Sequence, residues 1–274
     1  MDKKKRTVGL IVWIGLLAIF LVLALLAGKP VQDKESIKEV MRDAVLHETN
    51  KISLFGLKDV NPSLISAVTV TGILLAASLL IRIFVIPRFK NIPGKFQLLL
   101  EEVVGFFDNL AKSNSPHRNI FLGAYVFAAG TYIFIGTLFE LFGLQAVTTA
   151  GKSISLPAPL SDINAAIALG VFSYLMIMGG SIAGNGIKGI GKSLKEFSLP
   201  ISMSFRLFGA LLSGLLVTEL VYYTVSLSFV LPVAVGVMFT LLHALIQTYV
   251  LTMLTALFYG EVSKPSVKKI KSKN

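Results

Sequence analysis

The stretch SMSFRLFGALLSG, Ser202–Gly214, sets one arginine, Arg206, among apolar and small residues. A guanidinium keeps its proton up to a pH above ~12, so it cannot turn neutral when apolar surroundings close on it. Such a charge needs water or a polar partner. Its helix face carries Ser202 at i−4, Gly209 and Ala210 at i+3 and i+4, and Ser213 and Gly214 at i+7 and i+8. A face that small lets another helix approach closely. Further on, Gln247 could hydrogen-bond the guanidinium without neutralising it, and His243 stands one turn away on the same face. With Glu219, His243 supplies titratable groups on one side of a fixed cation. That set suits an ion path with a barrier in its middle. The other ionisable residues in or at the edges of apolar spans are Arg82, Glu140, Asp162 and Glu261. Arg82 lies near a helix end and can snorkel to the interface. Glu140 either lines an aqueous path or reaches the membrane surface.

The elements that position these groups follow from composition. The chain has 274 residues, 54% hydrophobic and 15% charged, where a soluble domain carries about 25% charged residues. With a mean hydropathy of +0.76, this indicates an all-α integral membrane protein. About six membrane helices are expected, near Val8–Ala27, Leu64–Ile86, Ile120–Leu144, Ala165–Ala183, Ile201–Leu231 and Val233–Tyr259. The first also fits a secretory signal, with a basic start and small residues at Ala27 and Gly28. The net charge of +11 would suggest nucleic acid in a soluble protein, but here the basic residues gather in alternate loops and no nucleic-acid partner is expected. Lys3–Arg6, Arg88, Lys90, Lys95, Lys112, Arg118, Lys188, Lys192, Lys195 and the tail lysines all fall on the side of the N-terminus. Both termini are therefore expected in the cytoplasm.

Ile201–Leu231 would run ~46 Å as one helix, which exceeds ~30 Å of hydrocarbon by half. This and the following span, separated by Pro232, are expected to form a hairpin of two long, strongly tilted helices. Phe96–Lys112 mixes apolar residues with Glu101, Glu102 and Asp108 and reads as an amphipathic helix on the cytoplasmic side. Gly186–Phe197, GIKGIGKSLKEF, reads as a flexible connection, since its glycines lack phosphate-loop spacing. Without a Walker-type loop the chain itself is not expected to hydrolyse ATP, and no motif calls for a cofactor. The absence of cysteine excludes disulfides and thiolate metal sites. Buried charges of this kind also fit a stand-alone secondary transporter or ion channel, although the sequence has no evident internal repeat.

From Leu64 to its C-terminus the chain resembles subunit a of the F-type ATP synthase. The resemblance is carried by NIPGKFQLLLEEVVGFFDN (Asn91–Asn109), PLSDIN (Pro159–Asn164), SMSFRLFG (Ser202–Gly209) and QTYVLTMLT (Gln247–Thr255), in that order. The expected division is residues 1–63, an N-terminal membrane helix or signal with an outer segment that the resemblance does not cover, and 64–274, the membrane domain. The resemblance implies a non-catalytic stator subunit that offers two half-channels to a rotating ring of c subunits, in a bacterial cell membrane. Arg206 would be the stator arginine, Gln247 its partner, and Ser202, Gly209, Ala210, Ser213 and Gly214 would face the ring. Asp162, Asn164, Glu219 and His243 would line the path of H⁺ or Na⁺. Further partners implied are the b subunits of the peripheral stalk and, indirectly, the catalytic head. The chain departs from the family pattern at Ala210, where asparagine is common. It departs again at Leu215 and Thr240, whose usual polar roles would pass to Glu219 and His243.

Overall fold

The computed structural model describes residues 51–54, 57–149, 151, 153–223 and 231–265, with Gly15 and Arg42. The expected first span, Val8–Ala27, lies outside the described residues. The described chain is mostly helical. Strands β1 (Ile52–Leu54) and β2 (Leu57–Val60) lead into helix α1 (Pro62–Leu80). Helices α2 (Lys95–Asn114) and α3 (Ile120–Leu138) follow, then β3 (Gln145–Val147) and β4 (Ser153–Ser155). Helices α4 (Ile163–Asn185), α5 (Lys188–Leu194), α6 (Ser198–Tyr223) and α7 (Leu231–Ser263) complete it. Among the described residues four helices are long and apolar enough to cross a membrane. A fifth span arises if α5 and the first part of α6, bent by 45°, count as one.

Helix α7 is the centre of the bundle: α3 and α4 both pack along it, and α6 packs on α4 and α7. Three apolar clusters fill the interior. Phe107, Leu122, Val126, Ile177 and Tyr259 belong to one, next to the ends of α2, α4 and α7. Ile133, Leu160, Leu207, Leu211 and Leu251 belong to the second, beside Arg206. Ile52, Val70, Phe139 and Leu156 form the third, where the strands meet the helices. The strands form two antiparallel hairpins, β1–β2 and β3–β4, joined by a hydrogen bond from Thr149 N to the Lys51 carbonyl, 2.9 Å. They are small, and nothing in the apolar periodicity announced them.

Helix α1 buries only Pro62, Ser63, Ser66 and Val70, all in its first half. The rest of its apolar surface is exposed, as befits a helix that faces lipid. Its end loosens into a π turn, Ile81–Val85, and a 3₁₀ turn, Ile86–Arg88. Pro87 explains this: it cannot donate to the carbonyl four residues back, and its ring crowds that carbonyl. The amphipathic helix expected at Phe96–Lys112 is α2, which buries Phe107 and Ala111 and exposes an Asp108–Lys112 ion pair.

Two expectations are corrected. Gly186–Phe197 is not a free connection, because α5 occupies its middle and is fastened to the end of α7. Ser181 Oγ donates to the Gly189 carbonyl at 2.8 Å, and Lys192 Nζ donates to the Lys264 carbonyl at 3.0 Å. Asn185 Nδ2 donates to the Val262 carbonyl at 2.9 Å. A helix leaves its last four carbonyls without partners; Asn185 of α4 supplies a donor for Val262, and Lys192 of α5 binds the carbonyl just beyond α7. Gly186 makes the turn into α5 with φ of 62°, a conformation that glycine adopts without strain. Pro232, expected to separate two helices, instead lies in the first turn of α7, where its missing N–H has no helical partner to lose.

Gly170 sets the approach of α4 to α6. A Cβ there would collide with Ser204 Oγ and lie 2.9 Å from the Pro200 carbonyl. Gly170→Ala should therefore destabilise the purified chain by about 1–3 kcal/mol in SDS-titration unfolding. Gly72→Ala, where a Cβ meets nothing within 4 Å, should leave stability unchanged or slightly raised.

Candidate functional site

Helix α6 has a buried stripe, Met203, Leu207 and Leu211, at intervals of four residues. The stripe turns Arg206 outward. Ser202, Arg206, Gly209 and Ser213 are exposed, and Ala210 and Gly214 are partly covered. The small face expected from spacing is thus an open surface of the bundle, with the guanidinium on it. Arg206 shares a shallow cleft with Gln247, Met203, Leu207, Val250, Leu251 and Leu254. Gln247 is only 5% exposed, so its amide forms the polar floor of an otherwise apolar cleft. No hydrogen bond or ion pair joins Arg206 to another described residue. Its charge therefore points to whatever covers this face.

One helical turn along α7 from Gln247, His243 sits over Gly214. Its Nδ1 would be 3.8 Å from a Cβ at that glycine. The imidazole is half-buried and lies at 5.8 Å from the Phe239 ring. The imidazole thus packs beside Gly214 between α6 and α7, at a distance where a Cβ would make ordinary contact. Glu219 lies further along α6 in the same direction, and its side chain is outside the described residues.

Asp162 and Asn164 start α4, at the strand end of the bundle. Asp162 is the N-cap: Oδ1 accepts from Asn164 N at 2.7 Å and Ala165 N at 3.2 Å. Its Oδ2 accepts from Asn61 Nδ2. Asn61 is itself the N-cap of α1, its Oδ1 accepting from Ser63 N at 2.9 Å. The carboxylate expected in the ion path is therefore held by backbone and amide donors. Asn164 is exposed beside it. Asn61 was not among the residues expected from the sequence; the Asn-Pro-Ser stretch, a capping residue before a proline, is the signal that could mark it as a cap. Thr137 was not singled out at all. It is 1% exposed, and its hydroxyl has no hydrogen-bond partner among the described residues. Glu140 follows three residues later, in the 3₁₀ turn Phe139–Phe142.

The threonines of α7 are quieter. Thr252 and Thr255 donate to the carbonyls of Thr248 and Leu251, four residues back, at 2.7 and 2.8 Å. Polar side chains in an apolar helix are commonly satisfied this way, which leaves Gln247 as the polar group of α7 that faces Arg206.

Several helices long and apolar enough to cross a membrane, around an exposed arginine with no partner among the described residues, fit a membrane subunit that handles ions. Residues 66–260 match the ATP synthase A chain family, and the chain belongs to that family. It is similar to ATP synthase subunit a of Cereibacter sphaeroides, with 25% identity over 183 residues, covering 62% of this chain and 70% of that protein. It is also similar to ATP synthase subunit a of Shewanella baltica, with 25% identity over 202 residues and coverage of 62% and 75%. ATP synthase subunit a 2 of Vibrio campbellii matches over 199 residues at 22% identity, with coverage of 62% and 76%. The chain is thus a non-catalytic, multi-pass membrane component of the ATP synthase complex, in the sector that translocates protons. This sets aside the stand-alone transporter.

The capping geometry of Asp162 has a direct consequence. Asp162→Ala should destabilise the purified chain by about 0.5–2 kcal/mol, the range for losing an N-cap. Asp162→Asn should be milder, since an amide oxygen can still accept from Asn164 N. SDS-titration unfolding of the two variants checks the order, and equal losses would contradict the capping account.

Proposed function

We propose that Arg206 is the barrier between two half-channels that meet at a ring of c subunits. The observation that carries this is an arginine with no hydrogen-bond or ion-pair partner among the described residues, on an exposed face of small residues. A c-ring helix fits such a face, because Ser202, Gly209, Ala210, Ser213 and Gly214 allow close approach. Each ring subunit would present a carboxylate. Arg206 attracts it once it has lost its proton and repels a proton that would cross directly. Gln247 orients the guanidinium without cancelling its charge. A proton reaches the ring from the strand end past Asp162, Asn164, Glu219 and His243, and leaves at the basic end after the ring has turned. The buried Thr137 hydroxyl is suited to bind a water on the approach, since an unpartnered polar group in such a place otherwise costs about 1–3 kcal/mol.

The same reading orients the molecule. The basic end, with Lys90, Lys95, Lys188, Lys192 and Lys264, faces the cytoplasm of a bacterial cell, and both termini lie on that side. Helices α6 and α7 form the tilted hairpin against the ring. At 33 residues α7 is ~50 Å long, too long to stand upright in ~30 Å of hydrocarbon. The lipid-facing surface of α1 suits the b subunits of the peripheral stalk, which would link the chain to the catalytic head. Residues 64–274 are taken as the membrane domain, with residues 1–63 ahead of it. Protons are the favoured ion because His243 and Glu219 can each exchange one.

Arg206→Ala should abolish proton-driven ATP synthesis in vesicles while the complex still assembles. Arg206→Lys should also fail largely, because a buried lysine can shed its proton and lacks the planar fork. Proton-driven synthesis at the normal rate in Arg206→Ala would refute the reading.

A further inference from the structure

The junction of Asn61 and Asp162 does more than cap two helices. Asn61 uses both ends of its amide: Oδ1 accepts from Ser63 N in its own helix, and Nδ2 donates to Asp162 Oδ2. Asp162 uses both oxygens, one on the first turn of α4 and one on Asn61. Beneath the pair, Ser63 Oγ and Ser161 Oγ lie 3.4 Å apart, both buried. Ser161 Oγ donates to the Ala158 carbonyl at 2.7 Å. The starts of α1 and α4 are thus tied across 101 residues of sequence by one amide–carboxylate hydrogen bond. The 3₁₀ turn Pro159–Ser161 that leads to Asp162 packs on α1, α3, α4 and α6.

We propose that Asn61 is a positioning residue of the ion path, which fixes the place and orientation of the Asp162 carboxylate at the start of α4. The proposal rests on the ion-path reading above. Both ends of the Asn61 amide are committed, so the carboxylate cannot swing away without breaking a cap. A carboxylate held by three N–H donors has its place and orientation fixed at the start of α4. The surrounding charges are few. The first turns of α1 and α4 carry no acidic residue. α3 leads to Glu140, α6 carries Arg206 and Glu219, and the incoming strand β2 carries Lys58 and Asp59. Asp162 makes no ion pair among the described residues, which leaves Asn61 as its partner from outside its own helix.

The test compares Asn61→Ala, Asn61→Asp and the exchanged pair Asn61→Asp with Asp162→Asn, in membranes holding the whole ATP synthase. ATP-driven proton pumping is measured from about pH 5.5 to pH 8.5 and normalised to assembled complex. Asn61→Ala should pump several-fold more slowly. Asn61→Asp should lose activity progressively as pH rises, because two touching carboxylates cannot both ionise and share a proton only at lower pH. The exchanged pair keeps the hydrogen bond with its partners reversed and should recover most of the rate, with a pH profile close to the original. Wild-type rate and pH profile in both single variants would overturn the proposal. So would an exchanged pair no better than Asn61→Asp. If Asn61→Ala does not assemble, the Asn61→Asp profile and the exchanged pair decide in the same way. Arg206→Ala is run alongside: normal pumping there would sink the ion-path reading itself, whereas its failure with unaffected Asn61 variants would sink only the role of Asn61.

Discussion

A charge that cannot be discharged, placed in a bundle of apolar helices, constrains everything around it. Arg206 cannot be buried against Leu207 or Leu251 without a partner. The chain meets that constraint by rotation. The stripe Met203, Leu207 and Leu211 pulls one side of α6 into the core, so that Arg206 stays at the edge of the contact with α7. Gly170 lets α4 reach α6 beside this turn, and Gln247 offers one neutral amide from below. The result is a cation anchored by its backbone and open on the face proposed to meet the ring. Any carboxylate that slides along that face meets it.

The proposed moving partner also demands a stationary frame. The two ends of the bundle are locked by different chemistry. At the basic end, Ser181, Asn185 and Lys192 bind carbonyls at or just beyond the end of α7, and His117 Nε2 lies 2.8 Å from Ser263 Oγ. At the strand end, the Asn61–Asp162 bond and the two hairpins hold α1, α4 and the loop after α3 together. Between these ends the interior is mostly apolar, with buried hydroxyls such as Ser173, Thr252 and Thr255 bonded to backbone carbonyls, and α7 runs through all of it. Many of the side-chain hydrogen bonds thus fall where helix ends leave backbone groups unpaired, and none among the described residues reaches the Arg206 guanidinium.

Much of this was legible in the sequence, for physical reasons that differ from residue to residue. Arg206 and its small face could be read from i±3 and i±4 spacing alone, and the cleft with Gln247 follows from two neighbouring helices. The membrane helices could be read from apolar length. Asp162 was legible as a polar group but not as a cap bonded to Asn61, because the bond spans residues 101 apart. The glycines of GIKGIGK suggested a loose loop, yet Gly189 serves close packing: a Cβ there would collide with the Ser181 carbonyl. Composition cannot separate a glycine that frees the backbone from one that admits a neighbour. Pro232 misled in a similar way, since a proline ends one helix or begins the next with the same ring. Thr137 carried no signal at all, because a buried threonine in an apolar helix normally bonds its own backbone.

The central claim is that Arg206 blocks a direct route between the two half-channels. The most direct measurement is passive proton conduction through the membrane sector, freed of its catalytic head, with the ring locked to this chain. The chain has no cysteine of its own, so a disulfide from an introduced cysteine to the ring can serve as the lock. With arginine at 206 the locked sector should be proton-tight. With alanine at 206 it should conduct while locked, because the barrier is gone and no rotation is needed. A locked alanine variant as tight as the arginine form would contradict the account.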